Sequence, residues 1–179
     1  MTHSNTSAAS LLLENLSLFK MPDRPWTVLD LACGNGRNGL VLAALGHAVS
    51  FADRDEEKLG QISRAEAFNH ERCEIWNVDL ERADSKPLAG RSYDAILVFN
   101  YLHRPLFSAI KNAVAPGGLL IYETFTTAQR AFGRPSNADF LLLPGELEAV
   151  CAGWQTLHYF EGELSAPARA VASVIARRP

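Results

Sequence analysis

Residues 26–39 read WTVLDLACGNGRNG: an apolar run, an acid, then a loop of small residues. Val28, Leu29 and Leu31 suit a buried strand, bounded by Pro25 on one side and the glycine loop on the other. Gly34 and Gly36 allow a sharp turn and let backbone N–H groups approach a ligand closely. A helical pattern (Leu40, Val41, Leu42, Leu45) follows directly. Its N-terminus would turn unpaired N–H groups and a partial positive charge toward that ligand. Strand, turn and helix together predict a nucleotide-type pocket at the first strand–helix junction of an α/β fold.

Working outward, apolar and turn signals alternate along the rest of the chain. Upstream, Leu12, Leu16 and Phe19 sit at helical spacing, which predicts an N-terminal helix over 7–19. That helix either packs on the sheet or serves as a lid, since it lies just before the cofactor strand. Downstream, Gly46 caps the first crossover helix, and HAVSFA (47–52) reads as a second strand ending in Asp53. A helix follows from Glu56 to roughly Phe68, with Leu59 and Ile62 facing inward, then a third strand, EIWNV (74–78), ending in Asp79. YDAILVFN (93–100) is a near-continuous apolar fourth strand, and 104–115 reads as helix ended by Pro116-Gly117-Gly118. Strand five is 119–125. The irregular stretch 126–143, a short helix from Pro144 to about Cys151 and strands at 154–159 and 170–176 complete the chain.

Strands alternating with helices predict a mostly parallel, doubly wound sheet of seven strands. Only residues 160–169 separate the last two strands, too few for a helical crossover, so they should form an antiparallel edge hairpin. With 179 residues and no linker or repeat, the expectation is a single domain, residues 1–25 forming its N-terminal helix or lid.

Composition narrows the function class. At 47% hydrophobic and 21% charged the chain has the make-up of a folded domain, and a net charge of −3 offers no footprint for nucleic acid. Arg177 and Arg178 are read as solvating a terminus. Cys33, Cys73 and Cys151 have neither disulfide-framework nor metal-ligand spacing, so no metal is expected, and Cys33 is read as filling the loop. No apolar run reaches a membrane span, and MTHSNTSAASLLLENLSLF lacks a basic leader, which makes the cytoplasm the expected location.

Gly34-x-Gly36-x-x-Gly39 with Asp53 downstream also fits a dinucleotide fingerprint. Asp30 argues against it. An acid at the end of the first strand would repel a pyrophosphate and suit a ligand carrying an ammonium group. Asp53 supplies a ribose acceptor and Asp79 an acceptor for an adenine amine. Three acids at three successive strand ends describe an S-adenosylmethionine site better than an NAD site, and Gly39 becomes an incidental third glycine. An NAD-dependent oxidoreductase and a non-catalytic S-adenosylmethionine-binding module are the alternatives.

With VLDLACGNGRNG as first motif, and FADRD, NVDL, YDAILVFN and PGGLLIYE after it, the chain resembles a class I S-adenosylmethionine-dependent methyltransferase. The resemblance implies that fold and cofactor. It implies that Asp30, Gly34 and Gly36 hold the methionine end, that Asp53 binds the ribose hydroxyls, and that Ala32, Asn35 and Arg54 also line the cofactor. Asp79 with the Leu80 backbone would bind adenine, and Asn100 would sit near the sulfonium. CGNGRN, together with Gly-Glu-Leu at 145–147 and GWQTLHY-x-EGEL at 153–164, is similar to the tellurite-resistance type of methyltransferase. That group carries a His-Arg pair after the second Gly-Glu-Leu; this chain has Ser165-Ala166.

Methyl transfer from a sulfonium needs alignment above all, and a base only where the acceptor must lose a proton. His103 is the candidate base, or else a helix-start residue; Tyr101 lines the pocket, or else belongs to the core. Glu123 and Thr124 end strand five on the substrate side, unless Glu123 is a solvated strand end. Arg130 and Arg134 either clamp an anionic substrate or are surface arginines. Without an inserted substrate domain, a small-molecule acceptor is expected.

Overall fold

In the computed structural model, which describes residues 7–19, 24–82 and 86–179, the chain divides into two compact units, Met1–Pro87 and Leu88–Pro179. In the first unit α1 (Ser10–Glu14) is followed by a 3-10 turn at Leu16–Phe19, so the expected helix is broken. Asn15 turns its side chain back to the Leu11 carbonyl, one way asparagine competes with helix propagation. β1 (Thr27–Leu31) carries the apolar run of the opening motif, and Val28, Leu29 and Leu31 are fully buried. α2 (Gly39–Ala44) packs back toward β2 (Ala48–Asp53), which runs parallel to β1 with Asp30 opposite Phe51.

α3 (Glu56–Ile62) starts on the Asp55 carboxylate, which accepts the Lys58 N–H at 3.1 Å. It buries Leu59 and Ile62 as expected but stops six residues early. There the Ser63 hydroxyl bonds the Gly60 carbonyl and tight turns continue through Phe68, whose ring lies 5.9 Å from that of Phe51. β3 (Glu74–Asn77) pairs in parallel with β2.

In the second unit β4 (Tyr93–Phe99) is buried along almost its whole length, as a strand covered on both faces must be. A single 3-10 turn (Arg104–Leu106) precedes α4 (Phe107–Ala113), where one helix over 104–115 was expected; Pro105 lies in that first turn. β5 (Val114–Phe125) is longer than expected. Pro116-Gly117-Gly118 is a bulge inside it, where the register with β4 jumps from Tyr93–Val114 to Ala95–Leu119. Arg177 and Arg178 do not merely solvate the terminus. They donate to the carbonyls of Gly117 (2.8 Å) and Asn112 (3.1 Å), closing the bulge and the end of α4.

α5 (Glu146–Val150) leads to β6 (Gln155–Ser165) and β7 (Ala168–Arg177). These form the predicted antiparallel hairpin, but its loop is only Ala166-Pro167, because pairing runs from Gln155–Arg177 to Ser165–Ala168. β7 also pairs antiparallel with β5. The strand order is β3-β2-β1-β4-β5-β7-β6, the mostly parallel seven-stranded sheet of the class I methyltransferase fold. No helix among the described residues is long and apolar enough to cross a membrane.

Candidate functional site

In the first unit the site is built around one turn. The β1 chain leaves its strand through Ala32, whose φ of +53° is costly for a residue with a Cβ. Gly34 (φ +56°) and Gly36 (φ +70°) continue in the same left-handed region. Around Gly34 there is open space, whereas a Cβ on Gly36 would lie 2.8 Å from Ile62 of α3. Gly34 therefore leaves room for a ligand, and Gly36 serves packing.

Asp30 is 2% exposed and accepts the Gly39 N–H at 2.8 Å. Burial pushes its carboxyl up to about 7; the Gly39 bond and the nearby Arg37 guanidinium pull it down, and Asp53 adds to the rise. Asp53 holds the turn from the second strand: one carboxylate oxygen accepts the Gly34 N–H at 2.8 Å and the other the Asp55 N–H at 3.0 Å. Cys33 is buried beside these acids; burial, with Asp30 and Asp53 adding to it, holds its thiol far above the ordinary range, which disfavours the thiolate a nucleophile needs.

The helix N-terminus, expected to face a ligand, is already spent. Gly39 donates to Asp30, Leu40 to the Gly36 carbonyl and Val41 to the Asn38 carbonyl. Within the turn, Cys33, Gly34 and Gly36 also donate to partners of this unit. With those six amides engaged inside the unit, fewer are left to face a pyrophosphate. Two acids bound the turn instead, Asp53 half-buried and Asp30 enclosed behind Gly39. Gly39 is not incidental either: a Cβ there would meet Phe51 at 2.5 Å and Asp30 at 2.8 Å, so it sets how closely α2 approaches β1 and β2.

Asn35 and Arg54 are exposed, as is Asp79, which follows β3 and takes the Glu81 N–H at 3.0 Å; Leu80 beside it is buried.

The second unit holds the remaining candidates. Asn100 follows β4 with φ +56°, exposed, and its N–H donates to the Glu123 carbonyl at 2.9 Å. That bond joins the carboxyl ends of β4 and β5. Glu123 is no solvated strand end: it is 6% exposed and paired with Arg169 at 3.2 Å. Thr124 is buried on the opposite face, since Glu123 stands across from Ser173 and Thr124 across from Ala172. Tyr101 is half-buried and its carbonyl accepts the Tyr122 hydroxyl at 2.9 Å. His103 is half-buried at the start of the 3-10 turn and makes no side-chain cap. Arg130 and Arg134 are exposed on the segment after β5.

Sequence reasoning missed the two side chains that order this segment. The buried Gln129 amide accepts the Ala170 N–H at 2.8 Å and donates to the Arg134 carbonyl at 3.1 Å. Arg104 bonds both carboxylate oxygens of Glu146, at 2.6 and 2.8 Å, and the Leu141 carbonyl at 2.9 Å. Burial alone would raise the Glu146 carboxyl, but Arg104 and the Leu143 N–H hold it below the usual range. Nothing local in the sequence marks contacts spanning about 40 residues. Arg104→Ala should cost about 2 kcal/mol, because it takes the charged partner from Glu146 and the donor from the Leu141 and Asp139 carbonyls. Urea unfolding midpoints measure this; an unchanged midpoint would remove the anchoring role.

A family model for the tellurite resistance protein TehB matches residues 6–168. The chain belongs to the TehB family. It is 29% identical over 148 residues to the "Probable S-adenosyl-L-methionine-dependent methyltransferase TehB" of Haemophilus influenzae, covering 78% of this chain and 50% of that protein. The chain thus spans about half the length of the curated relatives it matches. The crystal structure of TehB from Haemophilus influenzae superposes with a TM-score of 0.76 at 23% identity, over 99% of this chain and 64% of that one. The N-methyltransferase NodS from Bradyrhizobium japonicum WM9 gives 0.67 at 15% identity, over 94% and 92%. At these identities the likenesses to solved structures speak for the fold.

Proposed function

We propose that this chain is an S-adenosylmethionine-dependent methyltransferase acting on a small-molecule acceptor, working in the cytoplasm as a single methyltransferase domain. The observation that carries the reading is the turn after β1. The Cys33, Gly34, Gly36 and Gly39 amides are committed to internal partners, two of them to the Asp53 and Asp30 carboxylates. That set of groups suits a ligand with a cationic amino-acid end and ribose hydroxyls, and it suits a pyrophosphate poorly. Membership of the TehB family points the same way.

S-adenosylmethionine supplies an already activated methyl group, so the chain's task is to orient and to exclude water. In this reading Asp30 with Ala32, Gly34, Asn35 and Gly36 holds the amino-acid end, and Asp53 with Arg54 the ribose. Asp79 and Leu80 hold the adenine, and Asn100 lies near the reacting centre. Tyr101, Glu123, Arg130 and Arg134 serve the acceptor. His103 takes a proton where the acceptor has one to lose. Ser165 directly precedes the hairpin loop and Ala166 lies within it, so the family's His-Arg pair has no counterpart at that place and acceptor handling falls to other residues.

Calorimetry with S-adenosylhomocysteine and with NADH tests the cofactor. Binding of the first and none of the second is expected, and the reverse would overturn the reading. Asp53→Ala removes both the ribose acceptor and the Gly34 anchor, so affinity for S-adenosylhomocysteine should fall at least tenfold. Near-normal affinity would take Asp53 out of the site. Release of S-adenosylhomocysteine across a panel of thiols, oxyanions, phenols and amines then identifies the acceptor; binding without any turnover would favour a non-catalytic module.

A further inference from the structure

Three consecutive residues after the glycine turn send their bonds away from their own helix. Arg37 donates to the Ser7 carbonyl at 2.9 Å, Asn38 accepts the Ala9 N–H at 2.8 Å, and Gly39 donates to Asp30 at 2.8 Å. Asn38 is the oddest of them. It stands immediately before α2, the place where asparagine ordinarily caps a helix with its side chain. Here its backbone is helical (φ −83°, ψ −51°), it makes no cap, and it is 5% exposed. Its oxygen goes instead to a residue 29 positions upstream. A buried asparagine that forgoes capping its own helix gains a bond between the N-terminal segment and the turn.

The segment is also held at its far end. Leu11 and Leu12 are buried, and the Phe19 ring lies 5.6 Å from that of Trp26 and 5.9 Å from that of His47. So Ser7–Phe19 is clamped on the turn at one end and on the entrance of β1 at the other. The turn end is polar and hangs on two side chains; the far end is apolar. Any shift of the turn on taking up a ligand is passed through Asn38 to Ala9, whose carbonyl in turn accepts the Leu12 and Leu13 N–H groups that begin α1.

We propose that Asn38 is a positioning residue that couples the N-terminal segment to occupancy of the cofactor turn, making Ser7–Glu14 a strap that tightens when the cofactor binds. The inference rests on the methyltransferase reading above and adds to it a function for a residue outside the set assigned to the cofactor. Linkage makes the effect reciprocal: what the cofactor does to the strap, the strap does to cofactor affinity.

Hydrogen exchange at the Leu12 and Leu13 amides, with and without saturating S-adenosylhomocysteine, reads the coupling. In the wild-type chain the ligand should slow both by about tenfold. Asn38→Ala should abolish that protection and weaken S-adenosylhomocysteine about fivefold, and Asn38→Asp, which keeps an acceptor oxygen, should restore both. Should Asn38→Ala fail to fold, Ala9→Pro removes the donor from the other side. Ala9 has φ −64°, which proline adopts without strain. Wild-type protection that is the same with and without bound ligand would overturn the coupling. So would an Ala9→Pro chain of lowered melting temperature that keeps both protection and affinity. A wild-type chain that binds no S-adenosylhomocysteine would overturn the methyltransferase reading itself, and the strap with it.

Discussion

Gly39→Ala should lower the unfolding free energy by about 2 kcal/mol and weaken cofactor binding with it. The backbone at Gly39 is not left-handed, so the cost is one of space alone. The added methyl carbon would lie 2.5 Å from Phe51 and 2.8 Å from the Asp30 carboxylate. Neither neighbour can yield cheaply: Phe51 is fully buried in β2, and Asp30 is held by the Gly39 N–H itself. Overpacking of a buried site costs roughly 1–3 kcal/mol, and alanine returns up to about 1 kcal/mol through helix propensity. Moving α2 outward would also lengthen the Gly39–Asp30 bond, which explains the second effect. Phe51→Leu in the same chain should recover part of the loss, since it removes the ring edge that collides. Urea unfolding of both single variants and the double variant measures the coupling; a Gly39→Ala chain as stable as wild type would return Gly39 to the incidental role its sequence position suggests.

That residue illustrates what one-dimensional reading reaches here. Asp30 and Asp53 could be picked out because an acid closing an apolar run is a local signal, and the two glycines after Asp30 supplied the turn. Gly39 looked dispensable because its reason lies in Phe51, on the next strand. The left-handed backbone at Ala32 was invisible, as alanine does not favour it; at Asn100 the residue type is one enriched in that region, but no neighbouring turn signal marked the place. Asn38, Gln129 and Arg104 escaped for a related reason. Each spends its polar atoms on partners 29 to 42 residues away, and no periodicity encodes such a pairing. The mostly parallel sheet and the edge hairpin were legible, because alternating elements and a short final connection leave few topologies open. Element ends were not. The 3-10 break after Glu14 and the bulge at 116–118 depend on individual side-chain bonds and on what packs opposite.

The proton carried by Asp30 gives the sharpest separation between the two cofactor readings. Its carboxyl sits at about 7 in the folded chain against an ordinary 3.8, so the native state holds a proton that the unfolded chain has already lost between those values. The contribution of this group to stability therefore falls as pH rises from about 4 to about 7 and levels off above, a loss on the order of a few kcal/mol. Asp30→Asn, which cannot ionise, should flatten that part of the profile and be the more stable chain at pH 8. Ligand binding follows the same proton. A cationic amino-acid end favours the ionised carboxylate, so S-adenosylhomocysteine should displace the proton, and its affinity should drop by up to about tenfold per unit as pH falls below about 7. A pyrophosphate would do the opposite, since it is repelled by the ionised acid and would bind better as pH falls. Arg37 and Asp53 are the charged groups that bear on Asp30, the first lowering and the second raising its carboxyl. Calorimetry at pH 5.5, 6.5 and 7.5, in buffers of differing ionisation enthalpy, reads both the affinity and the proton released. Affinity that weakens toward pH 5.5 in wild type and stays level in Asp30→Asn would tie the opening motif to a cation-bearing nucleoside. Affinity that is flat in wild type would detach Asp30 from the ligand and leave it the anchor of Gly39 alone.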